Sequence, residues 1–190
     1  MTTHLSERAK QLIPKAKIFN FDSWESRYPE SSIERGRIAD AEGRYLNDKD
    51  LVALGETGGD PQSLETVRFL RDNATEIVAE ARGKVLDEFP GISEAGGDLY
   101  PTERAEACWR DFWHFLRSIT YGIAGSTVNY TNADGLENMN LLYRELKVPL
   151  PAMVCGLEAL KASSLKRMVD RSETLAPYFD WLVEQLRQFK

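Results

Sequence analysis

The sequence predicts an all-α domain of the globin-like or helix-bundle kind. Apolar residues recur at intervals of three and four along most of the chain, no convincing run of period-two alternation appears, and turn-forming residues punctuate the pattern into about seven segments. At 190 residues, with 42% hydrophobic and 28% charged residues, the chain has the make-up of one folded domain able to bury roughly 70% of its unfolded surface.

Taken in chain order, the first 36 residues differ from the rest. Arg8, Lys10, Lys15 and Lys17 make the opening basic, Pro14 interrupts it, and Phe19, Phe21, Trp24 and Tyr28 follow in a segment rich in Ser, Glu and Pro. Aromatic rings need a surface to bury against, so this segment wraps its own domain or adds a short helix, or docks on a partner, with plain disorder as the third alternative. The organisation expected is an N-terminal extension over 1–37 and a domain over 38–190.

Ser32 to Leu46 and Asp48 to Leu54 read as short helices, with Gly58, Gly59 and Pro61 as a linker. The stripe Leu64, Val67, Leu70, Ile77, Val78, Ala81 and Val85 predicts one long helix from Ser63 to Leu86, ended by Pro90 and Gly91. Pro101 to Ile123 forms the next helix, because proline suits a first turn whose N–H would lack a partner. Its aromatic content exceeds what a thin stripe can hold, so it is expected to be central and buried on more than one side. Three further helices are expected, from Ala133 to Leu146, from Pro151 to Arg171 with a break after Lys161, and from Glu173 to Phe189.

Composition excludes several classes of function. Thirty acidic against 24 basic residues give a net charge of −6, which offers no general attraction to nucleic acid. No apolar run approaches 18 residues, so membrane insertion is not expected, and the absence of a signal-peptide pattern points to an intracellular protein. Two cysteines, Cys108 and Cys155, and two distant histidines, His4 and His114, argue against a disulfide framework or structural zinc. With no second nucleophile–base pair and no Gly-rich strand–helix loop, the chain does not read as an enzyme.

The stretch Cys108 to Ala124 concentrates the chemistry. Cys108 and Asp111, three positions apart, share one helix face, so a thiol and a carboxylate can meet one ligand. Arg104 belongs to the same face, while Arg110 reaches only a ligand draped around the flank. The plain alternative is a small core cysteine beside an Arg–Asp pair. Cys155 reads as a packing residue and His114 as a core or surface histidine, rotated about 240° from Cys108.

Cys108-Trp109-Arg110-Asp111, followed by Leu116-Arg117 and Thr120-Tyr121-Gly122, resembles the chromophore helix of the phycobiliproteins. Ala39-Asp40-Ala41-Glu42-Gly43-Arg44-Tyr45-Leu46 and Gly96-Gly97-Asp98-Leu99-Tyr100 are similar to two upstream family segments. Val148-Pro149-Leu150-Pro151-Ala152 with Gly156 to Lys161, and Tyr178-Phe179-Asp180, are similar to two downstream ones, the allophycocyanin branch in particular.

The resemblance implies a globin-like phycobiliprotein fold with extra N-terminal helices that binds a phycobilin, with phycocyanobilin the expected isomer. It implies thioether attachment at Cys108, hydrogen bonding of the inner pyrrole N–H groups to Asp111, a propionate on Arg110, and pocket positions for Tyr143, Tyr121, Trp109 and Arg104. It further implies a light-harvesting role in or beside a phycobilisome, or else reversible carriage of bilin in pigment synthesis or turnover; a pigment-free interaction protein is the third reading. The implied partners are the bilin, other phycobiliproteins or bilin-metabolism proteins, and further copies of the chain. The implied setting is the cytoplasm of a cyanobacterium-like host, including the cytoplasmic face of the thylakoid, or the plastid stroma. Roughly 27 residues more than family members carry precede the Asp40-Ala41-Glu42 segment, so the resemblance also predicts altered head-to-tail assembly.

Overall fold

The computed structural model describes residues 5–190, which leaves His4 outside it. The described residues form nine α-helices and no strands, an all-α globin-like arrangement. A short α1 (Glu7–Leu12) leads through 3₁₀ turns at Ile13–Lys15 and Phe21–Trp24 to α2 (Glu30–Ala41) and α3 (Asp48–Glu56). Then come α4 (Pro61–Asp72), α5 (Ala74–Glu88), α6 (Thr102–Ala124), α7 (Ala133–Leu146), α8 (Leu150–Arg167) and α9 (Ser172–Arg187).

α6 is the axis of the fold. Every residue from Phe115 to Ala124 is buried, because α4, α5, α8 and α9 all pack on it. Close approach of α8 is possible because Gly156 has no side chain: a Cβ there would run into the Phe112 ring.

Three helix boundaries differ from the sequence expectation. The stripe from Ser63 to Leu86 is two helices. Asn73 separates them, turning its amide back to donate to the Phe69 carbonyl at 2.8 Å, a local bond that competes with helix continuation. α4 then packs on α6 while α5 packs on α8, which one straight rod could not do. The break expected after Lys161 is absent; α8 runs on to Arg167, with Ser163 and Ser164 buried inside it. The segment expected to be helical to Leu46 stops at Ala41, and Gly43 takes the left-handed backbone (φ 66°) that turns the chain toward α3. Around that turn Asn47 and Asp50 form a reciprocal capping box, and Arg44 pairs with Asp50 at 2.6 Å. α7 spans the residues expected, with the Asn132 side chain capping Gly135 N–H at 2.8 Å.

The N-terminal segment packs on its own chain. α1 lies on α7, and the Ser6 hydroxyl donates to Glu145 at 2.6 Å. Phe19, Phe21, Trp24 and Tyr28 are all buried in one aromatic cluster with Tyr121 and Tyr130, in which Phe19 meets Phe21 at 4.7 Å and Tyr121 at 5.3 Å. Their polar tips are satisfied: Trp24 Nε1 donates to the Tyr121 carbonyl at 3.2 Å and Tyr28 Oη to that of Ala124 at 2.7 Å. Backbone bonds from Asn132 N–H to Ile18 (2.7 Å) and from Asn20 N–H to Tyr130 (2.8 Å) fix the register.

Trp24→Ala is expected to lower stability by about 3–5 kcal/mol, the range for truncating a buried aromatic ring. Urea unfolding followed by circular dichroism measures this; a loss under 1 kcal/mol would mean that the segment adds little to the fold.

Candidate ligand-binding site

A cavity of about 760 Å³ opens between α6, α7 and the N-terminal segment, a size typical of sites for small molecules. α6 supplies a stripe three and four residues apart, including Cys108, Asp111, Phe115 and Ser118. α7 supplies Met139, Leu142, Tyr143 and Leu146. Both cysteine and aspartate therefore face the same space, as their spacing requires. The indoles do not fill it, since neither Trp109 nor Trp113 lines the cavity.

Asp111 accepts a hydrogen bond from Tyr143 Oη at 2.8 Å. Burial pushes its carboxyl up to about 6, with the Tyr143 bond and the Arg110 charge acting in the opposite direction. Cys108, 3% exposed, is pushed up to about 12 by the same desolvation and by the neighbouring Asp111, with Arg104 opposing. The thiol therefore stays protonated at neutral pH. The Arg104 charge offsets only part of this shift, and its guanidinium hydrogen-bonds backbone carbonyls rather than the thiol. Arg104 Nε donates to the Asp98 carbonyl at 2.6 Å, and another nitrogen donates to the Lys147 carbonyl. It thereby ties the loop before α6 to the turn after α7, where Lys147 adopts φ 51° and Val148 N–H closes on the Tyr143 carbonyl at 2.8 Å. Arg110 is exposed and lines the cavity.

Two residues expected in the cavity wall lie elsewhere. Trp109 points to α5, where Arg82 stacks over its ring at 5.5 Å, and it packs on Phe112. Tyr121 is wholly buried behind the cavity; its hydroxyl donates to the Arg44 carbonyl and accepts from Arg117 at 3.0 Å. Relative to Asp111, Trp109 is rotated about 160° around an ideal helix, so the two cannot share a face.

Several lining residues were not anticipated. Arg117 donates to Asp40 at 2.8 Å, both side chains being nearly buried, and its Nε donates to His114 Nδ1 at 3.2 Å. That bond assigns the ring proton to Nε2. Burial and the nearby arginines hold His114 down at about 4, so it stays neutral. Comparing His114 with Asp111, three positions earlier, instead of with Cys108 would have placed it on the cavity side. Cys155 is half-buried and packs against the core. No cluster suited to a metal ion occurs among the described residues.

The two sequence segments that meet in the Asp40–Arg117 pair also align with known proteins. The family model described as "Phycobilisome protein" matches residues 37–186. The chain belongs to the phycobilisome protein family. It is similar to the allophycocyanin alpha chain of Mastigocladus laminosus, 33% identical over 156 residues, which cover 78% of this chain and 94% of the relative. Allophycocyanin subunit alpha 1 of a Nostoc species is 33% identical over 152 residues, with 78% and 94% covered. The allophycocyanin alpha-B chain of Cyanidium caldarium is 31% identical over 153 residues, with 79% and 94% covered. Within this phycobilisome protein, α6 carries the cavity stripe and the N-terminal segment stands ahead of the family match.

The raised carboxyl of Asp111 has a thermodynamic consequence. An acid whose folded-state pKa lies above its unfolded value weakens the fold as pH rises between the two, here from about 4 to about 6. In the ligand-free protein Asp111→Asn is therefore expected to raise stability at pH 7.5 by roughly 1–3 kcal/mol, with the gain shrinking as pH falls below 6. Denaturant melts at several pH values measure it; a pH-independent loss would contradict the burial of this charge.

Proposed function

We propose that the cavity holds a linear tetrapyrrole of the phycocyanobilin type and that the protein serves as a pigment-binding, light-harvesting-related phycobiliprotein. The observation that carries this reading is the pairing of Cys108 and Asp111 on one wall of a single cavity, in a chain whose relatives are allophycocyanin subunits. When bound, the pigment supplies absorption of visible light and an excited state to pass on.

The residues present suit such a group. Asp111 has one donor, Tyr143, and free acceptor capacity for the inner pyrrole N–H groups. An anion facing several donors favours the protonated pigment in an extended form, and bound pyrrole N–H groups would in turn draw the Asp111 pKa down. Arg110, exposed at the cavity, is suited to a propionate. Phe115, Met139, Leu142 and Val148 offer apolar contact. Burying several hundred Å² of pigment would yield on the order of 10 kcal/mol of gross apolar gain before binding costs, enough for retention without a covalent bond.

Attachment is assigned to Cys108, which lines the cavity together with Asp111. Its high pKa favours a second reading as well, in which pigment is held reversibly and exchanged as in a carrier. The protonated thiol makes unassisted addition slow, so covalent loading would need a partner protein or a pigment-induced shift. Other phycobiliproteins, bilin-metabolism proteins and further copies of the chain are the expected partners. Among the described residues no helix is long and apolar enough to cross a membrane, which accords with a site in the cytoplasm of a cyanobacterium-like host, at the thylakoid face, or in a plastid stroma.

Co-expression with a bilin source tests both assignments. Cys108→Ala should retain native colour but lose all pigment that survives acid-urea denaturation, whereas Asp111→Ala should shift and weaken the red band with attachment intact. Unchanged acid-stable colour in Cys108→Ala would refute the attachment site, and an unmoved spectrum in Asp111→Ala would refute its contact with the pyrroles.

A further inference from the structure

The cavity is not built by the family domain alone. Leu5, Ile13, Ala16, Lys17 and Ile18 line it, and all of them precede the family match that begins at residue 37. The segment is held in place by backbone contacts. The Ile18 carbonyl accepts from Asn132 N–H at 2.7 Å, and the Lys17 carbonyl sits against Gly135 in the first turn of α7, where any Cβ would collide with it.

The charges around the cavity sharpen the point. Four cations line it, Lys17, Arg104, Arg110 and Arg117, against three carboxylates, Asp40, Glu103 and Asp111, in a chain whose net charge is −6. Arg117 is taken by Asp40, and Arg104 by two backbone carbonyls. Lys17 and Arg110 are exposed, and among the described residues neither forms an ion pair. Two cations from separate elements, neither in an ion pair among the described residues, thus border a cavity whose proposed occupant carries two propionates.

Resting on the tetrapyrrole reading, we propose that the N-terminal segment is part of the ligand site: Lys17 binds one propionate while Arg110 binds the other, and Ile13, Ala16 and Ile18 cover the pigment's apolar surface. The segment completes in cis a pocket that the matched domain leaves open on one side. Because the Lys17 backbone is fixed by its neighbours' hydrogen bonds, only side-chain freedom is lost when it engages a carboxylate.

The test uses the full chain carrying Cys108→Ala, so that binding is reversible, titrated with phycocyanobilin and with its dimethyl ester, which has the same rings and no propionate charge. Lys17→Ala should weaken binding of the free acid roughly 3- to 10-fold, less at high salt, and leave the ester unchanged. Lys17→Arg should restore the acid. Ile13→Asp should weaken both forms. Equal affinity of Lys17→Ala and its parent for the free acid, or equal losses for acid and ester, overturns the assignment of Lys17 while the tetrapyrrole reading stands. Binding of neither form by the parent overturns that reading and the role of the segment together. Lys17 is exposed, so the variant's apoprotein should melt at the parent's temperature.

Discussion

A carboxylate set into a cavity wall, with a single tyrosine hydroxyl to solvate it, is the constraint around which this structure is organised. Asp111 lies half-buried with its pKa raised and with no guanidinium hydrogen-bonded to it, although three arginines line the same cavity. Water or a ligand must supply the missing donors, and a ligand rich in N–H groups and carboxylates would satisfy both the aspartate and the unpaired cations near it. The Cys108 thiol, three residues away, is kept neutral by the same lack of solvation. The site is destabilised where a ligand could relieve it, as is common where function rather than folding selects the residue.

Such a site needs a rigid frame, and the frame comes from polar groups used up in holding helices together. The Arg117 guanidinium joins Asp40 at the end of α2 to α6, and also engages Tyr121 and His114. Removing it would strand a buried carboxylate, a change that commonly costs about 3–5 kcal/mol. Arg104 does similar work at the other end, bonding backbone carbonyls on both sides of the cavity. Arginine-rich motifs in this chain therefore divide into those that hold the frame and those left free to meet an anion, a distinction invisible without the partners' positions.

Much of this was legible from spacing. α7 spans the residues that spacing predicts, Ala133 to Leu146, and the Cys108–Asp111 face follows from helix geometry. The split at Asn73 was hidden because the apolar stripe continues in register across it, and the decisive bond is made by one amide side chain. Trp109 and Tyr121 lie off the cavity for different reasons: Trp109 is about 160° from Asp111 around the helix, whereas Tyr121, only about 80° away, sits further along α6 where Phe19, Phe21 and Trp24 cover it, which spacing alone does not show. The contribution of residues 5–18 could not be read at all. It depends on where the aromatic cluster of Phe19, Phe21 and Trp24 anchors the chain, which is a tertiary fact.

In the proposed role the cavity holds an extended tetrapyrrole through its pyrrole nitrogens. Protein purified from a bilin-producing host should show a red absorption band several-fold stronger, relative to its near-ultraviolet band, when folded than after unfolding in acidic urea. Purification without pigment, or a folded-state spectrum indistinguishable from that of unfolded material, would contradict it.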